Sequence, residues 1–223
     1  MKHITFYLDF ISPYAYLAFE HLPDALEGLS YSVSYKPVLF AGMLKHYGQL
    51  GPAEIAPKRD WTYRQVLWLA QKMDINLQMP QSHPFNPLPL LRLAAQCGMP
   101  TEQDVAGGTI TINRYVCESI FRHVWLGGAD AADPQRLEAI AQQLASQQRL
   151  PADEAKTALK NNTDEAVAQK VFGVPAFAVD GHIFWGLDAL PMLRDYLFES
   201  PWFSGPGWES VRQVSVGVSR RSS

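Results

Sequence analysis

Cysteine is scarce in this chain, and its cysteines are not spaced as a redox pair. Among 223 residues only Cys97 and Cys117 are cysteines. The sequence therefore contains neither a C-x-x-C pair nor a disulfide framework, which argues against dithiol exchange and against a disulfide-stabilised scaffold. Both cysteines fall in segments of helical periodicity. We expect them to be buried apolar fillers in a protein of the reducing cytoplasm.

Several other chemistries lack their sequence motifs. The six histidines never pair four residues apart with a glutamate and never cluster with cysteines at zinc spacing, so no metal site is predicted. No nucleophile elbow, phosphate loop or dinucleotide fingerprint occurs.

No stretch approaches transmembrane length, and Asp9 interrupts the first apolar run, which argues against a signal peptide. A net charge of −3 gives no reason to expect nucleic acid or an anionic membrane as a partner.

A serine-proline step marks the start of the first predicted helix. Residues 3–8 are rich in Ile, Thr, Phe and Tyr, which is typical of a strand. After them, Ser12 suits the N-cap, Pro13 suits the first helical position and Gly28 supplies the stop. A hydroxyl at this N-cap lies beside free backbone N–H groups and the positive end of the helix dipole, which suits an anion. The alternative is that Ser12 only caps the helix.

A second informative proline precedes the last predicted hairpin. Pro175 opens the apolar run 176–179 and must occupy a strand start or an edge, because proline donates no ladder hydrogen bond. If the Val174-Pro175 bond is cis, the backbone groups of Val174 face sideways and can pair with an extended peptide. The alternative is an ordinary trans proline. The Asp180-Gly181 pair predicts a tight hairpin, after which Asp188 is placed to cap a helix.

The order of elements predicts an α/β protein with a thioredoxin-like fold and a large all-helical insertion. A strand at 31–36 makes the first helix the crossover of a parallel βαβ unit. From residue 41 to residue 171 the periodicity is mostly helical, with Thr163 as the predicted cap of the last helix. The predicted units are a discontinuous thioredoxin-like domain, an insertion and a tail, at 1–40 with 164–200, 41–163 and 201–223 respectively.

Six segments together resemble the 2-hydroxychromene-2-carboxylate isomerases, which are relatives of the kappa-class glutathione transferases in the thioredoxin-like superfamily. The resemblance covers the chain up to about Pro201. The segments that carry it are Tyr7-Leu8-Asp9-Phe10-Ile11-Ser12-Pro13-Tyr14, Pro57-Lys58-Arg59, His83-Pro84-Phe85-Asn86-Pro87-Leu88, Val124-Trp125, Val171-Phe172-Gly173-Val174-Pro175 and Trp185-Gly186-Leu187-Asp188.

This resemblance implies glutathione as the cofactor. Ser12 would be the catalytic residue, and Val174 would bind glutathione through its backbone. Leu187 and Asp188 would hold the γ-glutamyl end. Family members often carry arginine after that aspartate, and here the position is Ala189. The full set of expected glutathione-binding residues is Ser12, Lys58, Val174, Pro175, Trp185, Leu187 and Asp188.

An acidic aromatic substrate requires cationic or amide partners, and Lys58, Arg59 and Asn86 are the candidates. The two cations stand before an amphipathic helical segment that could face the cleft, and Asn86 lies in a proline-rich entry loop. The alternatives are a solvated helix start and an Asn-Pro turn. For Trp185 the alternative to walling the glutathione site is a place in the core.

The reaction that the resemblance implies is the interconversion of 2-hydroxychromene-2-carboxylate and trans-o-hydroxybenzylidenepyruvate in aromatic catabolism. Its central bond is double and rotates only after a thiolate has added reversibly, so glutathione is not consumed. Two other functions remain open, namely a kappa-like glutathione transferase or peroxidase and a non-catalytic thioredoxin-fold binding protein. Disulfide exchange is the weakest candidate, since the helix start has no cysteine. The resemblance also implies a homodimer.

Overall fold

A four-stranded mixed sheet is the centre of the thioredoxin-like part. The computed structural model describes residues 1–101 and 108–218. The strand order is β2-β1-β5-β6, in which β1 runs parallel to β2 while β5 is antiparallel to both of its neighbours. The strands are β1 (Lys2–Leu8), β2 (Tyr31–Pro37), β5 (Ala176–Val179) and β6 (His182–Trp185). The predicted α/β class and thioredoxin-like fold are therefore confirmed.

Helix α1 (Pro13–Ala25) is the crossover between the parallel strands β1 and β2. Pro13 occupies its first turn, and the helix ends three residues before Gly28, whose φ of 82° requires a glycine-like backbone. Leu17 and Phe19 are fully buried, as is the facing strand residue Phe6. Buried residues lie around most of α1, and their packing holds the helix in place and thereby fixes where Ser12 lies.

The insertion is mostly helical, as predicted, but it also contains a small sheet. Strands β3 (Met99–Pro100) and β4 (Ile110–Thr111) pair antiparallel, and Ile112 forms a bridge to Tyr35 of β2. These strands are two residues long, too short for a period-2 pattern to reveal them. The helices are α2 (Phe40–His46), α3 (Ala56–Lys72), α4 (Leu88–Gln96), α5 (Arg114–Trp125), α6 (Pro134–Gln143) and α7 (Ala152–Ala168).

The predicted helix start at Thr163 is wrong, because α7 runs through this position without a break. The Thr163 hydroxyl donates to the Leu159 carbonyl at 2.9 Å, one turn earlier in the same helix. It also accepts the Leu39 N–H at 3.0 Å, which ties α7 to the residue before α2. A capping residue type thus serves a long-range bond inside a helix. The predicted domain boundary between 163 and 164 falls within α7.

The C-terminal hairpin follows its turn residues. Asp180 and Gly181 have φ values of 49° and 80°, and both positions of a type I′ turn require positive φ. Helix α8 (Leu190–Leu197) follows the hairpin, and α9 (Pro206–Glu209) lies in the predicted tail. In the tail region, Phe203 packs on Tyr196 and Trp208 packs on His182, with ring centroids 5.2 and 5.7 Å apart. In the described ranges no helix has the length and apolarity needed to cross a membrane.

Candidate functional site

Ser12 is the N-cap of α1 and faces the strand entry that holds Val174. Its Oγ accepts the Ala15 N–H at 3.2 Å, so the predicted capping role is confirmed. The same Oγ lies 3.5 Å from the Val174 carbonyl oxygen, a long hydrogen bond in which the hydroxyl donates. Ser12 is 7% exposed. The Ser12 hydroxyl therefore contacts both the start of α1 and the strand entry, and it lies at the positive end of the α1 dipole.

The peptide group between Ile11 and Ser12 is held on both sides. Its carbonyl accepts from Nε2 of His83 at 2.8 Å, and its N–H donates to the Asp9 carbonyl at 3.0 Å. The next carbonyl upstream, that of Phe10, accepts from Nε1 of Trp125 at 3.0 Å. Two side chains of the insertion thus fix the backbone that orients the Ser12 hydroxyl.

Asp9 belongs to the loop between β1 and α1, residues 9–12, which we call the Ser12 loop, and it is fully buried. One carboxylate oxygen accepts the Ile11 N–H at 3.2 Å, and the other accepts the Phe40 N–H at 2.9 Å at the start of α2. Burial raises the pKa of Asp9 to about 7, although these backbone hydrogen bonds act in the opposite direction. The carboxyl group therefore joins the Ser12 loop to α2 and changes its charge near neutral pH.

The peptide bond between Val174 and Pro175 is cis, as predicted. The carbonyl of Pro175 accepts the Gly186 N–H at 2.9 Å, which joins this turn to the end of β6. The N–H of Val174 has no hydrogen-bond partner within the described ranges. One backbone donor is thus available beside Ser12 for an extended ligand.

A cavity of about 570 Å³ begins at this turn and runs along α1. Five of the predicted residues line it, and most of its wall is apolar. Gln65, Leu69 and Met73 of α3 form the opposite wall, while His21 and Arg194 lie towards the far end. A volume of this size is typical of sites for small molecules. The predicted residues that line it are Val174, Pro175, Trp185, Leu187 and Asp188. Ser12 is not a lining residue, but it contacts Val174, which is.

Trp185 is a wall of the cavity, so the alternative of a core position is wrong. Its side chain is 53% exposed and contacts Phe172 with ring centroids 4.9 Å apart. A Cβ atom built at Gly173 would lie 2.6 Å from the indole Nε1. The absence of a side chain at Gly173 is therefore what allows the indole to lie against the backbone next to Val174.

Asp188 does not cap α8, contrary to the prediction. A 3₁₀ turn (Leu187–Ala189) precedes the helix, and neither element receives a side-chain cap. The reason is Gly186, whose φ of 101° begins the turn early and places the Asp188 carboxylate back over the Gly186 Cα. The carboxylate is exposed to the cavity and makes no hydrogen bond or ion pair with the described part of the chain. It contributes to the raised pKa of Tyr14, for which burial is the main cause.

Lys58, Arg59 and Asn86 do not line the cavity. Lys58 is exposed and Arg59 is half-buried in the first turn of α3, one turn before Tyr63. Asn86 accepts the Leu88 N–H at 3.1 Å, the bond expected of a local Asn turn. The sequence predicted that these three residues bind the substrate, but in the structure none of them belongs to the cavity wall.

Neither cysteine lines the cavity, and burial favours the thiol form of both over the thiolate. Both are buried free thiols, and burial raises the pKa of Cys97 to about 11 and that of Cys117 above its ordinary value. Across the described residues no cluster of His, Cys, Asp or Glu forms a metal site.

Several residues of the site escaped sequence reasoning. Tyr14 and His21 share a helical face with core residues of α1, so their spacing indicated packing and not a cavity wall. Gln65 accepts from the Tyr14 hydroxyl at 2.6 Å, which joins α3 to α1. The signal for His83 was its place in a motif, but its bond to Ile11 spans 72 residues and has no local pattern.

The chain is similar to known proteins along almost all of its length. It is 29% identical over 207 residues to 2-hydroxychromene-2-carboxylate isomerase from Sphingobium xenophagum, covering 89% of this chain and 99% of that protein. It is 27% identical over 222 residues to glutathione S-transferase kappa 2 from Caenorhabditis elegans, covering 92% and 95%. A solved structure of a 2-hydroxychromene-2-carboxylate isomerase matches with a TM-score of 0.67 at 19% identity, covering 96% of this chain and 100% of that one. The model of the DsbA-like thioredoxin domain matches residues 3–198, and the chain belongs to that family.

Proposed function

We propose that this protein is a glutathione-dependent isomerase that interconverts 2-hydroxychromene-2-carboxylate and trans-o-hydroxybenzylidenepyruvate. The observation that carries the proposal is the Ser12 hydroxyl at the start of α1, which lies 3.5 Å from the carbonyl oxygen of Val174, a residue of the cavity wall. Relatives named as isomerases and as glutathione transferases support an enzyme that acts with glutathione.

The groups around the cavity fit a glutathione molecule. The unpartnered N–H of Val174 suits the cysteinyl backbone, and the free Asp188 carboxylate suits the cationic γ-glutamyl amine. Exposed Trp185 covers the segment between them. Each group offers the charge or hydrogen-bonding role that the matching part of the tripeptide needs.

Bound glutathione supplies a thiolate that adds reversibly to the conjugated substrate and turns the bond that must rotate into a single bond. The protein's task is to favour the thiolate over the thiol. Ser12 donates its hydroxyl proton to the sulfur, and the N-terminus of α1 stabilises the negative charge. Ser12 is not expected to attack, because the one histidine near it, His83, donates to the Ile11 carbonyl and does not reach its Oγ.

We propose that the substrate carboxylate is attracted by Lys58 and Arg59 at the start of α3, whose later turns line the cavity. Asn86 remains a proposed substrate contact through its amide nitrogen, since its Oδ1 is already bonded. Lys58→Gln and Arg59→Gln should each raise KM for the substrate. Because Arg59 is not a proposed glutathione contact, Arg59→Gln should leave the affinity for glutathione nearly unchanged. Arg64→Gln, on the same helix, is the matched control and should change neither. An unchanged KM in both variants would exclude the pair.

The test of the whole proposal is stoichiometry. With purified protein and both reactants, substrate absorbance should change while the free thiol concentration stays constant. Loss of thiol in step with the substrate would support the second candidate, a kappa-like glutathione transferase or peroxidase. Absence of glutathione binding in calorimetry would support a non-catalytic binding protein. The predicted homodimer and cytoplasmic location are separate, and sedimentation and cell fractionation test them.

A further inference from the structure

His83 and Tyr63 form a hydrogen-bonded pair directly behind the Ser12 loop. Because the Ile11 carbonyl only accepts, the Nε2 atom of His83 that bonds to it must carry a hydrogen. A neutral imidazole then has a bare Nδ1, and this atom lies 2.7 Å from the Tyr63 hydroxyl oxygen. The same hydroxyl lies 2.7 Å from the carbonyl oxygen of His83 itself. Tyr63 therefore faces two acceptors with a single proton.

Protonation of the imidazole resolves this competition. While His83 is neutral, the Tyr63 hydroxyl satisfies either Nδ1 or the His83 carbonyl, and the other acceptor lacks its donor. Once Nδ1 carries a proton, it donates to the Tyr63 oxygen, and the hydroxyl proton turns to the carbonyl. The charged form thus gains a hydrogen bond, whereas burial disfavours it and lowers the pKa of His83. The hydrogen bond to Tyr63 and the burial of the imidazole therefore act on the charged form in opposite directions.

We propose that His83 is a positioning residue of the Ser12 loop and that its protonation, switched through the Tyr63 hydroxyl, is linked to the negative charge held at Ser12. The link is short, because the carbonyl that His83 binds belongs to the same peptide group as the Ser12 N–H. An anion at the helix start favours the imidazolium, and by reciprocity the imidazolium favours the anion. The inference rests on the proposed function, since it concerns the same thiolate.

Few other charges act on this pair. Burial is the main cause of the raised pKa of Tyr63, and on α3 the smaller effects of Arg59, which lowers this pKa, and Asp60, which raises it, oppose each other. From the Ser12 loop, Asp9 faces the N–H of Ile11. The imidazole also contacts the aromatic rings of Phe85 and Trp125, with centroids 6.0 and 5.6 Å away. On the loop side, Asp9 is the titratable group whose charge competes with that of His83.

The protein contains a matched internal control. His123 on α5 is also partly buried, bonds a backbone carbonyl through Nε2, that of Ala131, at 3.0 Å, and has a pKa lowered mainly by burial. It differs from His83 in that its carbonyl partner, Ala131, does not belong to the loop that carries Ser12. Both imidazoles can be followed in one nuclear magnetic resonance titration of the whole protein.

The experiment compares the free protein, the protein with glutathione and the protein with S-methylglutathione, which fills the same site without an ionisable thiol. Glutathione should raise the pKa of His83 by about one unit relative to S-methylglutathione, the lower end of the effect of a nearby opposite charge. The pKa of His123 should be the same in all three samples. If calorimetry shows that glutathione binds but the pKa of His83 does not change, the inference is overturned and the proposed function is left intact.

Two variants complete the test. In Tyr63→Phe the imidazolium loses its acceptor, so the pKa of His83 in the free protein should fall further, even if glutathione does not bind; no change would exclude the switch. His83→Gln keeps a side-chain N–H donor but does not titrate, so the bound thiol's pKa should rise by the same unit, with His123→Gln as the control. Equal effects of the two glutamine variants would reduce His83 to a structural residue.

Discussion

The Ser12 hydroxyl lies 3.5 Å from the Val174 carbonyl oxygen, although 162 residues separate them along the chain. The contact exists because β1 and β5 are neighbours in the sheet, with Tyr7 paired to Ala176. The loop that follows β1 and the turn that precedes β5 therefore lie at the same end of the two paired strands. The proposed thiolate position is a product of this antiparallel pairing.

Replacement of Ser12 by alanine should separate capping from chemistry. Ser12→Ala removes the cap of α1, at a cost of about 1 kcal/mol of unfolding free energy, and also removes the donor to the sulfur. We expect turnover to fall at saturating glutathione while the fold is retained. Asp133→Ala removes a comparable cap, the 2.9 Å bond to the N–H of Arg136 at α6, and should cost similar stability with normal turnover. Wild-type turnover in purified Ser12→Ala would reject the catalytic role.

Charge removal at Asp188 should weaken glutathione binding with little effect on stability. The carboxylate makes no cap and no ion pair with the described residues, so Asp188→Asn should leave the melting temperature nearly unchanged. The lost attraction to the γ-glutamyl amine should raise the glutathione Kd about tenfold, which corresponds to ~1.4 kcal/mol. Asp195→Asn removes an exposed acid of α8 as the control. Equal affinities of both variants by calorimetry would assign the amine to another partner.

A side chain at Gly173 should disturb the wall of the cavity. The Cβ atom introduced by Gly173→Ala would lie 2.6 Å from Nε1 of Trp185, so the exposed indole must move from its contact with Phe172. Its backbone φ is not in the left-handed region, so stability should change little. We expect altered Trp185 fluorescence and weaker glutathione binding. Trp185→Phe relieves the crowding at Nε1, and the double variant should bind better than Gly173→Ala. Additive losses would contradict this.

Local patterns predicted the elements better than they predicted the site. The strand at β1, the cap at Ser12 and the turn at Asp180-Gly181 each depend on a few neighbouring residues, so sequence sufficed. Thr163 failed because a tertiary bond to Leu39 competes with the local capping preference. The amphipathic pattern after Arg59 indicated that this helix could face the cleft, and α3 does line the cavity. Which of its residues form the wall depends on how two helices pack, and this had no local signal.

The buried carboxyl group of Asp9 should give the protein a measurable pH dependence of stability. Its pKa of about 7 in the folded state lies above its ordinary value of about 3.9 in the unfolded chain, so the folded state binds more protons between these values. The stability contributed by this group is therefore present at low pH and is lost as pH rises through about 7.

Asp9→Asn isolates that contribution. The amide offers one acceptor oxygen where the carboxyl group serves two N–H donors, those of Ile11 and Phe40, so the variant should be less stable at every pH. Its deficit should shrink by ~2 kcal/mol between pH 5 and pH 8, because only the wild type loses stability through this residue. Denaturant unfolding of both proteins at the two pH values gives the difference directly, and the histidines cancel because both proteins carry them. Parallel stability curves would mean that Asp9 stays ionised in the folded protein and that its hydrogen bonds outweigh its burial.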